Sequence, residues 1–216
     1  LTYLSLFLIA GLSGLFTTDL AATHNRAGEI TVEQIDPLMV KATITTYTKA
    51  TSTQADRDSL TLCWGDGRCE LLIRMNGLPG DTGIPAGQIL GNNTKKNIYV
   101  GFHSYPALGT YRLFMTDPNR NDGILNVNPP NSVMVEFHLQ TVYTLLNPQF
   151  QGSNNTPVLL QPPVDIGCVG ETFIHNPSAF DIDGDSLAYK LITPLRGINE
   201  ETGEAIPVPN YLFPDE

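Results

Sequence analysis

The stretch Ser132–Leu145, SVMVEFHLQTVYTL, indicates the fold class of this chain more directly than any other part of the sequence. Its apolar side chains recur at every second position, and those that share one face are Val133, Val135, Phe137, Leu139, Tyr143 and Leu145. The polar residues Glu136, His138 and Gln140 point to the opposite face. Because successive side chains of a strand point to opposite faces, this pattern predicts a strand that is buried on one side.

Similar short patterns precede this stretch, and in each we expect the named side chains to face the core. The further strands that they predict lie at Gly28–Ile35, Lys41–Thr48, Leu60/Leu62/Trp64, Leu71/Ile73/Met75, Asn97–Ser104 and Tyr111/Leu113/Met115. About seven short strands with turn residues between them are typical of a two-sheet sandwich. We therefore predict an all-β protein whose main unit is an immunoglobulin-like antiparallel β-sandwich with little helix.

Charge is distributed unevenly along the chain. The 216 residues carry a formal net charge of −10, and 41% of them are hydrophobic. Residues 23–149 contain 11 acidic and 10 basic residues, whereas residues 150–216 contain 10 acidic and 2 basic residues. This asymmetry predicts two units with different surfaces. Because the chain has no basic stripe to neutralise phosphates, we expect no nucleic-acid partner.

Residues 1–22 are predicted to be a secretory signal peptide. An apolar run covers Tyr3–Phe16, and the small residues Ala21 and Ala22 follow it. The run is short for a hydrocarbon core of about 30 Å but fits the apolar and cleavage regions of an export signal. The alternative is a buried core helix, which the glycines and serines of the run disfavour. We expect an exported mature chain that begins near Ala22 or Thr23 and carries no transmembrane helix.

Three cysteines are present, and export permits disulfides. Cys63 and Cys69 flank a tight turn and are candidates for a bridge across it, although two inert thiols remain the alternative. Cys168 is left over, which predicts a free thiol or a partner outside this pair.

Four short motifs follow one another in an order that resembles a known family. They are Leu62-Cys63-Trp64-Gly65-Asp66-Gly67, His103-Ser104-Tyr105-Pro106, Gly109-Thr110-Tyr111-Arg112-Leu113 and Thr116-Asp117-Pro118. Together they resemble the PKD domain, which has a W-x-F-G-D-G-like turn followed by H-x-Y and G-x-Y-x-V strands. The match covers residues 28–145 and departs from the family at Trp64, where Phe is usual, and in a long insert before His103. The resemblance implies a PKD-type sandwich over residues 23–146 that serves as a spacer or adhesive module.

A second resemblance rests on the amino-acid sequences of three longer segments, Ala22–Ile30, Ser59–Gly67 and Asn93–Tyr99. They look like a class of large exported proteins of gliding Bacteroidetes, termed gliding-motility-associated. Full-length members carry a C-terminal sorting domain for a dedicated outer-membrane secretion system, of type IX. The resemblance implies a location on the outer cell surface or in the medium, and a chain that is the N-terminal fragment of a longer protein.

The sequence after the sandwich predicts a linker and part of a second domain. Residues 147–163 are rich in Pro, Asn, Gly and Gln and are interpreted as a linker with the first strand of the next unit. Residues 164–216 are interpreted as a truncated immunoglobulin- or cadherin-like domain, with strands at Val169–Ile174 and Leu187–Ile192. About 60 residues are too few to complete a sandwich of this type.

The segment Asp181-Ile182-Asp183-Gly184-Asp185-Ser186-Leu187 is a candidate calcium site. Ca²⁺ takes six to eight oxygen ligands, and alternating aspartates with a permissive glycine can surround it. An EF-hand is excluded because its twelfth position would be Ile192. The segment resembles the D-x-D-G-D-x-L strand start of cadherin-like repeats, in which such aspartates bind Ca²⁺ at domain junctions. The alternative is that Asp181, Asp183 and Asp185 cap a turn.

No catalytic constellation is visible in the sequence. The histidines His24, His103, His138 and His175 lack the spacing of metal ligands, and no G-x-S-x-G elbow occurs. Asp56 and Asp58 are interpreted as solvated loop charges beside Arg57. We expect a non-catalytic cell-surface protein, a spacer or an adhesion module whose partner is an unidentified surface protein or glycan. The alternative is the accessory front of a secreted hydrolase.

Overall fold

The computed structural model describes residues 25–52, 56–163, 168 and 170–213. The predicted signal peptide lies outside these residues. Within them, no helix is both long and apolar enough to cross a membrane.

The described residues form an almost entirely β structure. Its elements are β1 Asn25–Asp36, β2 Met39–Lys49, β3 Ser59–Cys63, β4 Cys69–Ile73, β5 Gln88–Gly91, β6 Thr94–Ser104, β7 Gly109–Asp117, a 3₁₀ turn at Ser132–Met134, β8 Phe137–Leu145, α1 Pro148–Gln151, β9 Val158–Leu159, β10 Ala179–Phe180, β11 Leu195–Ile198 and β12 Ala205–Pro207. The pairs β9–β10 and β11–β12 form separate two-stranded antiparallel sheets, of which β11–β12 is a hairpin.

Strands β1 to β8 form two antiparallel four-stranded sheets. The first sheet has the order β1-β2-β6-β5 and the second β4-β3-β7-β8. With the strands lettered in chain order, these are A-B-E-D and C′-C-F-G, which is the immunoglobulin strand order with one added strand. Tyr111, near the start of β7, donates a hydrogen bond to the carbonyl oxygen of Ala107 at 2.7 Å. A tyrosine at this corner, bonded to backbone a few residues upstream, is another feature of such sandwiches.

The core lies between the two sheets and receives side chains from both. Its buried members are Ile30, Val32, Val40, Ala42, Ile44, Leu60, Leu62, Trp64, Leu72, Tyr99, Tyr105, Leu113, Met115, Phe137, Tyr143 and Leu145. Removing this much apolar surface from water is the main term that stabilises the sandwich. The predicted fold class, an all-β antiparallel sandwich, is confirmed.

Two kinds of local prediction were wrong, and one strand was missed. Leu71, Ile73 and Met75 lie on the exposed side of their strand, while Leu72 and Arg74 are buried. Residues 170–174 and 187–192 contain no strand, and the alternating apolar side chains of the second segment are exposed. Strand β5 was not predicted, because all its residues are exposed and carry no alternation.

The segment after β8 runs along the free edge of β1 in the opposite direction. Thr156 N–H donates to the carbonyl oxygen of Val32 at 2.9 Å, and Val32 N–H donates to Thr156 Oγ1 at 2.7 Å. Gln34 N–H donates to Asn155 Oδ1 at 3.0 Å, and Leu159 N–H donates to Glu29 Oε2 at 3.2 Å. Part of the predicted linker is therefore fixed to the sandwich.

The β11–β12 hairpin lies across the outer face of the second sheet. Arg112 of β7 donates to the carbonyl oxygen of Gly203 at 2.6 Å, and Arg120 donates to that of Leu195 at 3.2 Å. Beyond the hairpin, Val208 packs with Val127 and Val135 in a second, smaller core. The hairpin therefore belongs to the surface of the sandwich.

Candidate functional site

The first candidate site is the turn between β3 and β4, which contains the segment Leu62–Gly67. The side chains of Cys63 and Cys69 form a disulfide across this turn. Gly65 has a φ of +84°, and a Cβ there would lie 2.5 Å from the carbonyl oxygen of Arg112. Glycine is therefore needed at this position both for its backbone conformation and for the close approach of β7.

Asp66 and His103 form a buried pair beside Trp64. Asp66 Oδ2 lies 2.9 Å from His103 Nε2, and the two side chains are 8% and 9% exposed. The imidazole of His103 stacks on the indole of Trp64 with ring centroids 4.8 Å apart. Burial alone would raise the pKa of Asp66, but hydrogen bonds from His103 and from the Arg68 N–H outweigh it and lower the pKa.

Two tyrosines continue this arrangement. Tyr105 donates to the carbonyl oxygen of Trp64 at 2.8 Å, and its ring stacks on that of Tyr111 with centroids 3.8 Å apart. The motif residues are thus used for packing and hydrogen bonding. They hold the β3–β4 turn against β6 and β7.

The second candidate site is an ion cluster at one end of the sandwich, which sequence reasoning missed. Arg74 is 2% exposed, and its guanidinium lies 2.7 Å from both Asp56 Oδ1 and Asp58 Oδ1. Lys95 Nζ lies 2.6 Å from the same oxygen of Asp56. Burial acts to raise the pKa of Asp56, but its hydrogen bonds and charge interactions with Arg74 and Lys95 lower it. The interpretation of Asp56 as a solvated loop charge was therefore wrong, whereas Asp58 is exposed as expected but pairs with Arg74.

The contacts of Arg74 with neutral groups show what the cluster does. Its Nε donates to the carbonyl oxygen of Pro85 at 2.5 Å, and one Nη donates to Asn97 Oδ1 at 3.2 Å. Arg74 therefore joins the segment that carries Asp56 and Asp58 to β6 and to the loop that precedes β5. All three nitrogens of the guanidinium donate hydrogen bonds within the protein, so the cluster is structural in character.

The third candidate site is the aspartate-rich segment predicted to bind calcium. Asp181 Oδ1 accepts hydrogen bonds from the N–H of Asp183 at 2.8 Å and of Asp185 at 3.4 Å. Both carboxylate oxygens of Asp183 accept from Asn155, Oδ2 from its backbone N–H at 2.5 Å and Oδ1 from its side-chain amide at 2.8 Å. Asp183 thus connects this segment to the chain along β1.

Among the described residues, no group of three or more His, Cys, Asp or Glu side chains is arranged to hold a metal ion. A calcium ion at Asp181, Asp183 and Asp185 would have to exchange some of these hydrogen bonds for metal contacts. Calcium binding at this segment stays a prediction.

The fourth candidate site is the surface beneath the β11–β12 hairpin. His138 lies on the outer face of β8, as predicted, yet it is only 8% exposed. Its Nδ1 lies 2.8 Å from Thr116 Oγ1 of β7. Burial lowers the pKa of His138, a hydrogen bond with Gln140 opposes this, and the positive charges of Arg120 and Arg112 lower it further.

Comparison with known proteins adds no relative: no family model, no curated protein and no solved structure matches the chain. The class that the fold and these sites define is an all-β sandwich protein with a disulfide-closed turn and a fixed C-terminal extension.

Proposed function

We propose that this chain is a non-catalytic, exported cell-surface protein in which the sandwich serves as a spacer or adhesion module. The observation that carries the proposal is the junction between the sandwich and the following segment. Asn155 and Thr156 are hydrogen-bonded along β1, and Asp183 holds Asn155 by two further hydrogen bonds. A fixed junction suits a module that transmits position or presents a binding face, because units joined by a free linker move relative to each other by default.

The disulfide supports the exported location. Disulfides persist in oxidising compartments and are rare in the cytosol. The bridge between Cys63 and Cys69 closes the turn that carries Asp66, and therefore it stabilises a feature of the sandwich itself. We extend the proposal to the outer surface of a gliding bacterium and to a glycan or surface protein as partner, on the resemblance of the motifs.

Calcium is part of the same proposal. Bound at Asp181, Asp183 and Asp185, it would offset two of the three negative charges beside the junction and stiffen it. The ion has a supporting role here, because Asp183 already contacts Asn155 through hydrogen bonds.

Distance measurement between two spin labels tests the fixed junction. The labels are placed at exposed positions of the sandwich and of the second segment, with Ser104→Cys and Lys190→Cys in a Cys168→Ser background. We expect one narrow distance distribution, which broadens with Asp183→Ala because both bonds to Asn155 are lost. The matched control, Asp185→Ala, leaves those bonds in place and keeps the distribution narrow. A broad distribution in the unsubstituted background would contradict the proposal.

A further inference from the structure

A groove lies on the outer face of the second sheet, over β3. Its volume is about 400 Å³, which falls within the range of small-ligand sites. Residues of β3, β4 and β7 and of the segment that precedes β3 contribute to it. The lining residues are Asp56, Arg57, Asp58, Ser59, Leu60, Thr61, Leu71, Thr116, Asp117 and Pro118.

The floor of the groove follows from the alternation of β3. Leu60 and Leu62 are buried in the core. The short side chains of Ser59 and Thr61 alternate with them and therefore point outward. Leu71, which pairs with Thr61 on the neighbouring strand β4, is 63% exposed. Short side chains beside a longer one leave a depression on this face of the sheet.

Arg57 contributes a guanidinium that is held in place. Its Nε donates to Asp117 Oδ2 at 2.7 Å, and Asp117 is only 3% exposed. Its carbonyl oxygen accepts a hydrogen bond from the hydroxyl of Tyr99 at 2.6 Å. In the part of the chain that the structure describes, only the Nε of this guanidinium donates a hydrogen bond. The two Nη nitrogens therefore remain as oriented donors beside the groove.

Hydroxyl groups form a second set of polar contacts in the groove. Those of Ser59 and Thr61 have no hydrogen-bond partner among the described residues, and both residues line the groove. Thr116 Oγ1 lies 2.8 Å from His138 Nδ1 and keeps further hydrogen-bonding capacity, because a hydroxyl has one donor and two acceptor sites. The groove thus offers groups that can both donate and accept.

The charges around the groove are paired within the protein. Its three carboxylates contact three cations, in the pairs Asp56–Arg74, Asp56–Lys95, Asp58–Arg74 and Asp117–Arg57. An anionic ligand would approach these carboxylates, and a cationic ligand would have to displace a side chain that is already bound. The charge balance therefore favours an uncharged ligand.

An uncharged saccharide matches these groups. A sugar ring carries hydroxyl groups around its edge and C–H groups on its faces. Adjacent hydroxyl oxygens can accept from the two Nη nitrogens of Arg57, while other hydroxyls exchange hydrogen bonds with Ser59 and Thr61. A C–H face can pack on the exposed side chain of Leu71.

We propose that this groove binds an uncharged saccharide, with Arg57, Ser59 and Thr61 as polar contacts and Leu71 as the apolar contact. The proposal rests on the function proposed above, because it assigns a site to the glycan partner. The groove consists of sandwich residues, whereas the junction depends on Asn155 and Asp183. The two proposals can therefore fail separately.

NMR titration of the full chain with uncharged disaccharides tests the site. The probes are maltose, cellobiose and diacetylchitobiose, each raised to about 20 mM. We expect at least one of them to shift the amide resonances of Ser59, Thr61 and Leu71, with a dissociation constant of about 1 mM. Thr61→Val removes one hydroxyl at an exposed position and raises this constant roughly tenfold. The matched control, Thr43→Val on the outer face of β2, leaves it unchanged.

Arg57→Lys is the second variant. It keeps a positive charge beside Asp117 but loses the paired donors, so it also weakens binding roughly tenfold. Tm of all three variants stays close to that of the parent, which shows that the fold is kept.

Three results would overturn the site. They are the absence of saturable shifts with every probe, equal weakening by Thr61→Val and Thr43→Val, and tighter binding of glucuronate than of the uncharged probes. If the distance distribution at the junction is narrow, none of these results contradicts the function of the sandwich as a module. Shifts confined to another surface would support a glycan partner but also overturn this site.

Discussion

Arg74 and Asp56, which stand 18 positions apart in the sequence, form an ion pair of 2.7 Å at the end of the sandwich core. Arg74 is buried and Asp56 is partly buried. Removing the guanidinium would leave Asp56 and Asp58 beside the core without their main counter-charge. Removing one partner of a buried ion pair destabilises a protein more than replacing both partners with apolar residues, because the remaining charge is left buried and unpaired.

Arg74→Met is therefore expected to lower the free energy of unfolding by about 3 kcal/mol. Arg74→Lys is expected to recover only part of the loss, since an ammonium cannot contact Asp56, Asp58 and Pro85 at once. Chemical denaturation with urea measures both. The control is Arg68→Met at an exposed site of the β3–β4 turn, where little change is expected. Equal losses for the two Met variants would contradict the role of Arg74.

The β11–β12 hairpin is expected to loosen in mild acid. Burial first, and the charges of Arg120 and Arg112 in addition, lower the pKa of His138 below its usual value of about 6.5. A His with a lowered pKa in the folded state contributes stability above its unfolded pKa. That contribution is lost as the pH falls below about 6.5. Faster hydrogen exchange over residues 195–207 at pH 5.5 than at pH 7.5, corrected for intrinsic rates, is the expected result.

His138→Gln removes the titrating group while keeping a polar side chain beside Thr116. We expect the pH effect on residues 195–207 to disappear in this variant and to persist in His175→Gln, which changes an exposed histidine. An unchanged pH effect in His138→Gln would show that another group controls the hairpin.

The disulfide is expected to contribute about 2 kcal/mol, because it closes a short loop and constrains the unfolded chain only modestly. Replacing both Cys63 and Cys69 with Ser should lower the free energy of unfolding by that amount in urea denaturation. Alkylation of the unreduced, denatured chain followed by mass measurement should modify one cysteine, Cys168. Modification of all three would contradict the bridge.

Calcium binding is tested by thermal unfolding of the full chain. Ca²⁺ is expected to raise Tm, a chelator to reverse the rise, and Asp181→Asn with Asp185→Asn to abolish it. This pair of substitutions leaves Asp183, which contacts Asn155, unchanged. An unchanged Tm would leave the segment as the hydrogen-bonded turn that the structure shows.

Much of the sandwich was predictable because a two-residue period is a local property of the sequence. This period places Phe137, Tyr143 and Leu145 on the inward face of β8. It places His138 and Gln140 on the outward face. The same rule failed at Leu71 and Ile73, because alternation shows which side chains share a face but not which face is covered. At residues 187–192 it failed because alternation forms a strand only where a partner strand is available.

The ion cluster and the junction could not be predicted from local pattern. Arg74 and Asp58 meet through the register of β3 and β4, but Lys95 of β6 joins the cluster only once the two sheets pack together. Asp183 was singled out for its spacing, but its contact with Asn155 depends on the direction in which the chain returns along β1. Neither the contact of Lys95 nor that of Asp183 has a signal in sequence spacing.

The direction in which the segment after β8 runs along β1 determines how the sandwich responds to mechanical load. Because the segment from Asn155 to Leu159 runs antiparallel to β1, it leaves the sandwich toward the end at which β1 begins. Tension between Asn25 and the chain beyond Leu159 therefore pulls two adjacent antiparallel segments apart from the same end. Their contacts open one after another rather than all at once, so the segment from Asn155 to Leu159 separates from β1 before the longer β1–β2 ladder and the hydrophobic core carry the force.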